Sequence, residues 1–304
     1  LMPRFGMQPI IGMAIGVLFG GMLQLGVQVP SLRARGFRFR PVVNFADTGL
    51  RRIGKLMIPA VIGLSATEIN IFVNTFFASS CPQGSVSWLN YAFRILMFPI
   101  GLVGVSLSIA TMPIVARHAS TGDMQQLREA YISSTVLSLV FSVPATFGLI
   151  FLAHSIIRVI FEHGSFTPFD TVNTAQALIF YSVGLFAYAG LKIIVPVFYS
   201  LNKTKYPVIG SFIGVAMNIV IVLATLRTFQ HRAIALSTSL CIIANFLFLG
   251  CALYREVHGY DITYLVRCLL KIVPISLLMG GVAYWIDALC RQALSGRLFG
   301  NLIS

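Results

Sequence analysis

Apolar residues recur along this chain in long runs broken by short polar turns. Stretches such as 272–278 show no alternation of polar and apolar positions, so the roughly ten-residue alternating segments of a transmembrane β-barrel do not describe it. Breaking the runs at charges, Pro/Gly clusters and polar turns predicts helices at 9–29, 56–80, 86–115, 126–153, 169–200, 206–227, 231–254 and 262–285. Each is roughly 20 residues or longer, enough to cross about 30 Å of hydrocarbon as helix. Pro59, Pro99, Pro113, Pro144, Pro196 and Pro274 fall within or near the ends of these helices. Each removes a backbone donor and permits a kink, which suits a protein that bends. The expected fold class is therefore all-α, a polytopic membrane helix bundle.

Composition sharpens this reading. Over the 304 residues, 57% are hydrophobic and only 10% charged, against about a quarter charged in soluble proteins, which excludes an ordinary soluble enzyme. The net charge of +13 could suggest nucleic acid. However, many of the basic residues crowd one segment, Arg33 to Lys55, and no aromatic-basic module accompanies them, so topology and lipid head groups explain the charge and no nucleic-acid partner is expected. Loops after the first, third, fifth and seventh helices carry Arg33, Arg35, Arg38, Arg40, Arg51, Arg52, Lys55, Arg117, Arg128, Lys203, Lys205 and Arg255, whereas the opposite set carries Arg158, Arg227 and Arg232. The first set is expected in the cytoplasm, with Arg33 to Lys55 as an amphipathic connector lying on an anionic leaflet.

Little in the sequence looks catalytic. The five cysteines fall singly and are expected to be small packing residues, not a zinc site or disulfide framework. His118, His154, His163, His231 and His258 fall at predicted loop ends and are expected to be solvated. No phosphate-binding loop, His-x-x-x-His pair or paired carboxylates is present, so neither a cofactor, a metal nor an enzymatic reaction is expected. In the stretch from Gly164 to Asp170, Thr167 is placed as a helix N-cap with Pro168 at the first helical position.

Three ionisable residues remain at predicted membrane depth: Glu68, Arg94 and Lys192. Each costs about 3 kcal/mol even on insertion scales, so each needs a reason to be there. Glu68 belongs to a polar stripe with Asn74, and Arg94 follows Trp88, Asn90 and Tyr91. Two readings stand: the three charges pair with one another inside the bundle, or they line a wet cavity that meets a charged substrate. An arginine favours an anion such as phosphate, because its planar fork binds two oxygens and stays charged.

The run Gly84-Ser85-Val86-Ser87-Trp88-Leu89-Asn90-Tyr91-Ala92-Phe93-Arg94-Ile95, continued by Phe98-Pro99-Ile100-Gly101-Leu102-Val103-Gly104-Val105-Ser106, resembles the MurJ (MviN) family of lipid II flippases. Gly20-Gly21-Met22-Leu23-Gln24, Phe161-Glu162-His163-Gly164-Ser165-Phe166-Thr167 and Lys205-Tyr206-Pro207 support the likeness. The resemblance implies a MATE-like transporter with two six-helix lobes around a central cavity and two further C-terminal helices. On that template the chain is a fragment covering helices six to thirteen. Residues 1–55 are the last helix of the first lobe plus a basic cytoplasmic linker, 56–258 the six-helix second lobe, and 259–304 an extra, truncated C-terminal helix. The family likeness makes Arg94 the second-lobe cavity arginine for the lipid-linked pyrophosphate and Ser87 a cavity-facing serine, with Asn90, Glu68, Lys192 and Asn74 completing the expected substrate-binding set. Relatives often carry an acidic residue before the arginine where this chain has Phe93, which leaves Glu68 to balance the charge. Some relatives bind sodium through an aspartate matching Asn74, with Asn218 and Thr238 nearby; the amide makes sodium coupling unexpected here. The implied partners are lipid II and membrane lipids, in the bacterial inner membrane. The rival readings are a polysaccharide or multidrug exporter of the same superfamily, a non-transporting membrane scaffold, and an enzyme acting on a polyprenyl phosphate, for which clustered carboxylates or histidines are missing.

Overall fold

A computed structural model describes residues 9–36 and 48–300. The chain divides into two compact units, Leu1–Gly54 and Lys55–Ser304. The first holds α1 (Pro9–Ala34), and the Arg38 and Arg40 part of the expected connector lies outside the described residues. α2 (Thr48–Ser79) begins well before 56, so Arg51, Arg52 and Lys55 sit on a helix. The remaining elements are α3 (Ser85–Pro99), a π-helical turn (Ile100–Val105), α4 (Ser106–Thr121), α5 (Met124–Phe161), α6 (Pro168–Ser182), α7 (Leu185–Ser200), α8 (Lys205–Phe229), α9 (His231–Glu256) and α10 (Ile262–Gly300). Among the described residues there is no strand. Six helices there are long and apolar enough to cross a membrane, and the bent α6–α7 pair makes a seventh. The fold is an all-α membrane helix bundle.

Two of the expected helices are interrupted. The span predicted at 86–115 runs as α3, the π turn and α4. Pro99 enters the turn without an N–H to offer, and Gly104 within it lets α7 approach: a Cβ there would lie 3.2 Å from the Ala189 Cα. The span predicted at 169–200 breaks between α6 and α7, which are inclined by 45°. At the break Gly184 packs on Ser239 of α9, where an added Cβ would come within 3.0 Å of the Ser239 Cα. The Ser239 hydroxyl is shared between the carbonyls of Phe180 at 2.7 Å and Tyr181 at 3.1 Å, so oxygens freed by the break find a partner inside the bundle. Replacing Ser239 by Ala is expected to lower stability by about 1–3 kcal/mol, the cost of leaving a buried acceptor unpaired. Thermal unfolding of the purified protein checks this.

Helix ends follow local chemistry. Asp123 caps α5 by accepting from the Gln126 N–H at 3.1 Å. Thr167 caps α6 as expected, with its own N–H donating to Asp170 Oδ2 at 2.8 Å and the Asp170 N–H returning to the Thr167 hydroxyl at 3.3 Å. α5 and α7 form the middle of the second unit: α5 packs against α4, α6, α7 and α10, and α7 against the π turn, α4 and α9. One buried cluster, including Leu89, Leu96, Ile157, Leu178 and Ile234, fills the α3–α5–α6–α9 junction, and another, including Leu127, Ile193, Phe198 and Leu253, fills the α4–α5–α7–α9 junction.

The solvated reading of the histidines fails at His231. It opens α9 directly after Gln230, whose φ of 49° makes the α8–α9 turn tight, and its ring is buried 5.2 Å from that of Trp88. Of the cysteines, Cys241 is buried, Cys81 and Cys268 are half-buried, and Cys251 and Cys290 are exposed, so the packing role describes only some of them.

Candidate functional site

The site is built on α3. Gly84 turns the chain with φ 99°, and a Cβ there would stand 2.7 Å from the Trp88 ring, so both backbone and neighbour require glycine. Trp88 is buried under that turn; its indole N–H donates to Asp170 Oδ1 at 2.7 Å, and its ring meets Phe169 and His231 edge-on. This anchor sets the rotation of α3. Ala92 and Leu96 then point into the core, while Ser87, Asn90 and Arg94, at i, i+3 and i+7, share an exposed stripe.

Two cavities flank the stripe. The first, of about 420 Å³, is lined by Asn70, Asn74, Asn90, Phe93, Tyr181, Tyr188, Lys192, Thr238 and Asn245, among others. The second, of about 400 Å³, is lined by Gly84, Ser87, Trp88, Tyr91, Phe161, His163, Ser165, Phe166 and Asp170. Arg94 lines neither and is exposed on α3. The structure thus gathers Asn74, Asn90 and Lys192 at one cavity and puts Ser87 at the other. Glu68 is exposed on α2 beside the cavity-lining Thr67 and lines neither cavity.

Ion pairs among the described residues include Arg158 with Glu162 and Lys203 with Glu256. Glu68, Arg94 and Lys192 do not pair with one another, so their charges stand available, and Glu68 does not neutralise Arg94 by contact. Lys192 on the wall of the first cavity, and Arg94 and Glu68 exposed outside both cavities, are placed to meet a charged ligand or water.

The amides beneath the first cavity are, by contrast, committed to one another. The Asn74 side chain donates to Asn70 Oδ1 and to the Thr238 hydroxyl, both at 3.1 Å, and Asn218 donates to Asn74 Oδ1 at 2.8 Å and Asn70 Oδ1 at 3.3 Å. Asn218 is fully buried, and its Oδ1 is the one amide oxygen of the three without a hydrogen-bond partner. A hard cation needs several oxygens turned toward it together. Here the set carries no carboxylate and most of its oxygens already accept N–H groups, so it does not fit a sodium ion. Exchange of sodium for potassium at equal ionic strength is expected to leave the thermal unfolding midpoint unchanged, whereas a cation bound to the folded state alone would raise it.

The sequence pointed to Ser87, Asn90 and Arg94 singly and to the Asn74, Asn218 and Thr238 positions, but not to Tyr181, Tyr188 and Asn245 in the first cavity or to the second cavity as a site. Asn70, four residues before Asn74 on the same helical face, was a readable signal for the amide cluster. The residues from 161 to 170 gave a turn, a cap and a stretch of family likeness but no cavity, because their rings meet Tyr91 through the tertiary fold.

Comparison with known proteins gives a consistent picture. A profile of the family described as lipid II flippase MurJ matches residues 1–302. A probable lipid II flippase MurJ of Buchnera aphidicola subsp. Acyrthosiphon pisum is 36% identical over 247 residues, covering 81% of this chain and 48% of the relative. One from Vibrio cholerae is 33% identical over 260 residues, covering 86% and 49%. The chain therefore spans about half the length of the curated relatives it matches. A solved lipid II flippase MurJ in an inward closed conformation superposes with a TM-score of 0.68 at 29% identity, over 81% of this chain and 50% of that one. A multidrug resistance MATE family transporter in an outward-facing conformation gives 0.60 at 18% identity, over 75% and 52%, a likeness of fold alone. The profile match along almost the whole chain, on a helix bundle of matching architecture, places it in the MurJ family.

Proposed function

We propose that this chain forms the second lobe of a lipid II flippase of the bacterial inner membrane, together with the helices flanking that lobe. On this reading 1–55 closes the first lobe and supplies a basic cytoplasmic linker, 56–258 is the six-helix second lobe, and 259–304 is an additional C-terminal helix. The observation that carries the proposal is Arg94, without an ion-pair partner among the described residues and held on one exposed stripe with Ser87 and Asn90 by the buried Trp88 anchor, in a chain of this family.

Lipid II presents a pyrophosphate, a sugar-peptide head and a polyprenyl tail. Moving that head through hydrocarbon would strip water from several charges at once. A polar path removes that barrier. The Arg94 guanidinium offers paired N–H donors to the pyrophosphate oxygens, and Lys192, on the wall of the first cavity, adds a compact positive charge to the field they enter. Ser87 and Asn90 supply neutral polar contacts, Asn74 shapes the cavity floor through its bonds to Asn70, Asn218 and Thr238, and Glu68 on α2 tunes the field without quenching it. Rocking of one lobe against the other then turns the loaded cavity from the cytoplasmic to the periplasmic side, which is alternating access with no covalent step. The α6–α7 break and the π turn are places where such helices can flex.

The test is complementation. A Gram-negative host depleted of its own flippase and supplied with the complete reading frame of this protein is expected to escape lysis and to display lipid II at the outer face. Continued lysis with the protein present in the membrane would contradict the proposal.

A further inference from the structure

The second cavity has a chemistry of its own. Tyr91, Phe161 and Phe166 form a ring cluster, with Tyr91 centred 4.8 Å from Phe161 and 5.6 Å from Phe166. Around it stand Ser87, Ser165 and His163, all exposed, and Asp170, whose oxygens already hold Trp88 and Thr167. None of the lining residues is lysine or arginine, and one is a carboxylate, so the cavity disfavours phosphate. Its volume falls within the roughly 300–1,000 Å³ of small-ligand clefts.

Half ring and half hydroxyl or imidazole, such a lining matches a neutral ligand with an apolar face and a hydroxylated rim. A pyranose is that ligand: its C–H face lies against an aromatic ring, and its hydroxyl and acetamido groups reach Ser87, Ser165 and His163. Position adds a second argument. Ser87 precedes Arg94 by two helical turns, about 10 Å along α3, toward the end of the helix that the charge asymmetry assigns to the outer side. A sugar joined to a pyrophosphate held at Arg94 is at the right distance to enter this cleft.

We infer that the cleft between Tyr91, Phe166 and His163 is a saccharide subsite that receives the sugar of the lipid-linked substrate on the outward side. The inference rests on the flippase reading for the identity of the sugar and on the cleft alone for the ligand class. Specificity for amino sugars would then lie with His163 and Ser165 on the α5–α6 loop, away from the arginine that holds the pyrophosphate.

The chain has two tryptophans, Trp88 and Trp285, and Trp88 lines the cleft. In the complete protein with Trp285 and every tryptophan outside this chain changed to Phe, Trp88 emission is a direct reporter. Titration with N,N′-diacetylchitobiose is expected to change that emission saturably, and His163→Ala and Tyr91→Leu, each made in the same background, are expected to weaken the apparent affinity roughly tenfold or more. Inorganic pyrophosphate should leave the emission unchanged. His163 is exposed on a loop, so its variant keeps the test free of folding defects. No response to the disaccharide, an equal response in the His163 variant, or a response to pyrophosphate alone would overturn the subsite. A protein that translocates lipid II without binding chitobiose loses the subsite and keeps the flippase reading. One that binds chitobiose at this cleft and translocates nothing keeps the subsite and loses the flippase reading.

Discussion

Changing Arg94 to Ala in the complete protein is expected to abolish rescue of a flippase-depleted host, while the variant accumulates in the membrane at the normal level. Both halves follow from the same geometry. Arg94 is exposed on the α3 stripe and has no ion-pair partner among the described residues, so truncation removes no packing and orphans no buried group. Exposed substitutions of that kind change stability by about 0.5 kcal/mol or less. What disappears is the planar pair of donors for the pyrophosphate, each charge-assisted hydrogen bond contributing about 1.5–3 kcal/mol. Losing two is a drop in substrate affinity of roughly a hundredfold or more. Arg94→Lys keeps the charge and loses the fork, so partial rescue is expected. Growth, membrane protein level and outer-face lipid II, followed together, check the prediction; full rescue by the Ala variant would remove Arg94 from the mechanism.

Trp88→Ala is expected to have the opposite signature, a large loss of stability. The side chain is buried at 3% exposure and joins three elements: the turn at Gly84, the start of α6 through Asp170, and the start of α9 through His231. Emptying that space is expected to cost about 3–5 kcal/mol. Trp88→Phe refills most of the volume and loses only the indole N–H. Asp170 keeps its bonds to Thr167, so about 1 kcal/mol is expected for this variant. Thermal unfolding of the purified variants, followed by loss of the monodisperse peak on size exclusion, distinguishes the two. A Trp88→Ala variant as stable as the parent would mean that α3 is oriented by something else, and the common stripe of Ser87, Asn90 and Arg94 would lose its physical cause.

The sequence was most informative where a feature depends on neighbours along the chain. Helical spans follow from local hydropathy. The α6 start follows from Thr167, Pro168 and Asp170 at capping spacing, and the shared face of Ser87, Asn90 and Arg94 follows from helical periodicity once the segment is a helix. The breaks were harder to read. Hydropathy averages over a window, so the π turn after Pro99 and the bend at Gly184 vanish into continuous apolar runs, and the bend is stabilised by Ser239 on a helix far along the chain. His231 looked like a loop-end residue because its burial is decided by Trp88, distant in sequence. The second cleft was illegible for the same reason: α3, the α5 end and the loop before α6 each contribute ordinary aromatic or hydroxyl residues, and only packing makes them one surface.

The central claim is that this chain supplies the arginine-bearing lobe of a protein that carries lipid II across a membrane. The measurement that tests it most directly is translocation by the purified complete protein in sealed vesicles with lipid II incorporated in the inner leaflet, read as its exposure to an outside enzyme that modifies the head group. The account predicts exposure well above protein-free vesicles, lost with Arg94→Ala and retained when sodium is replaced by potassium. Exposure no greater than in protein-free vesicles, from protein shown to be folded and inserted, would contradict it.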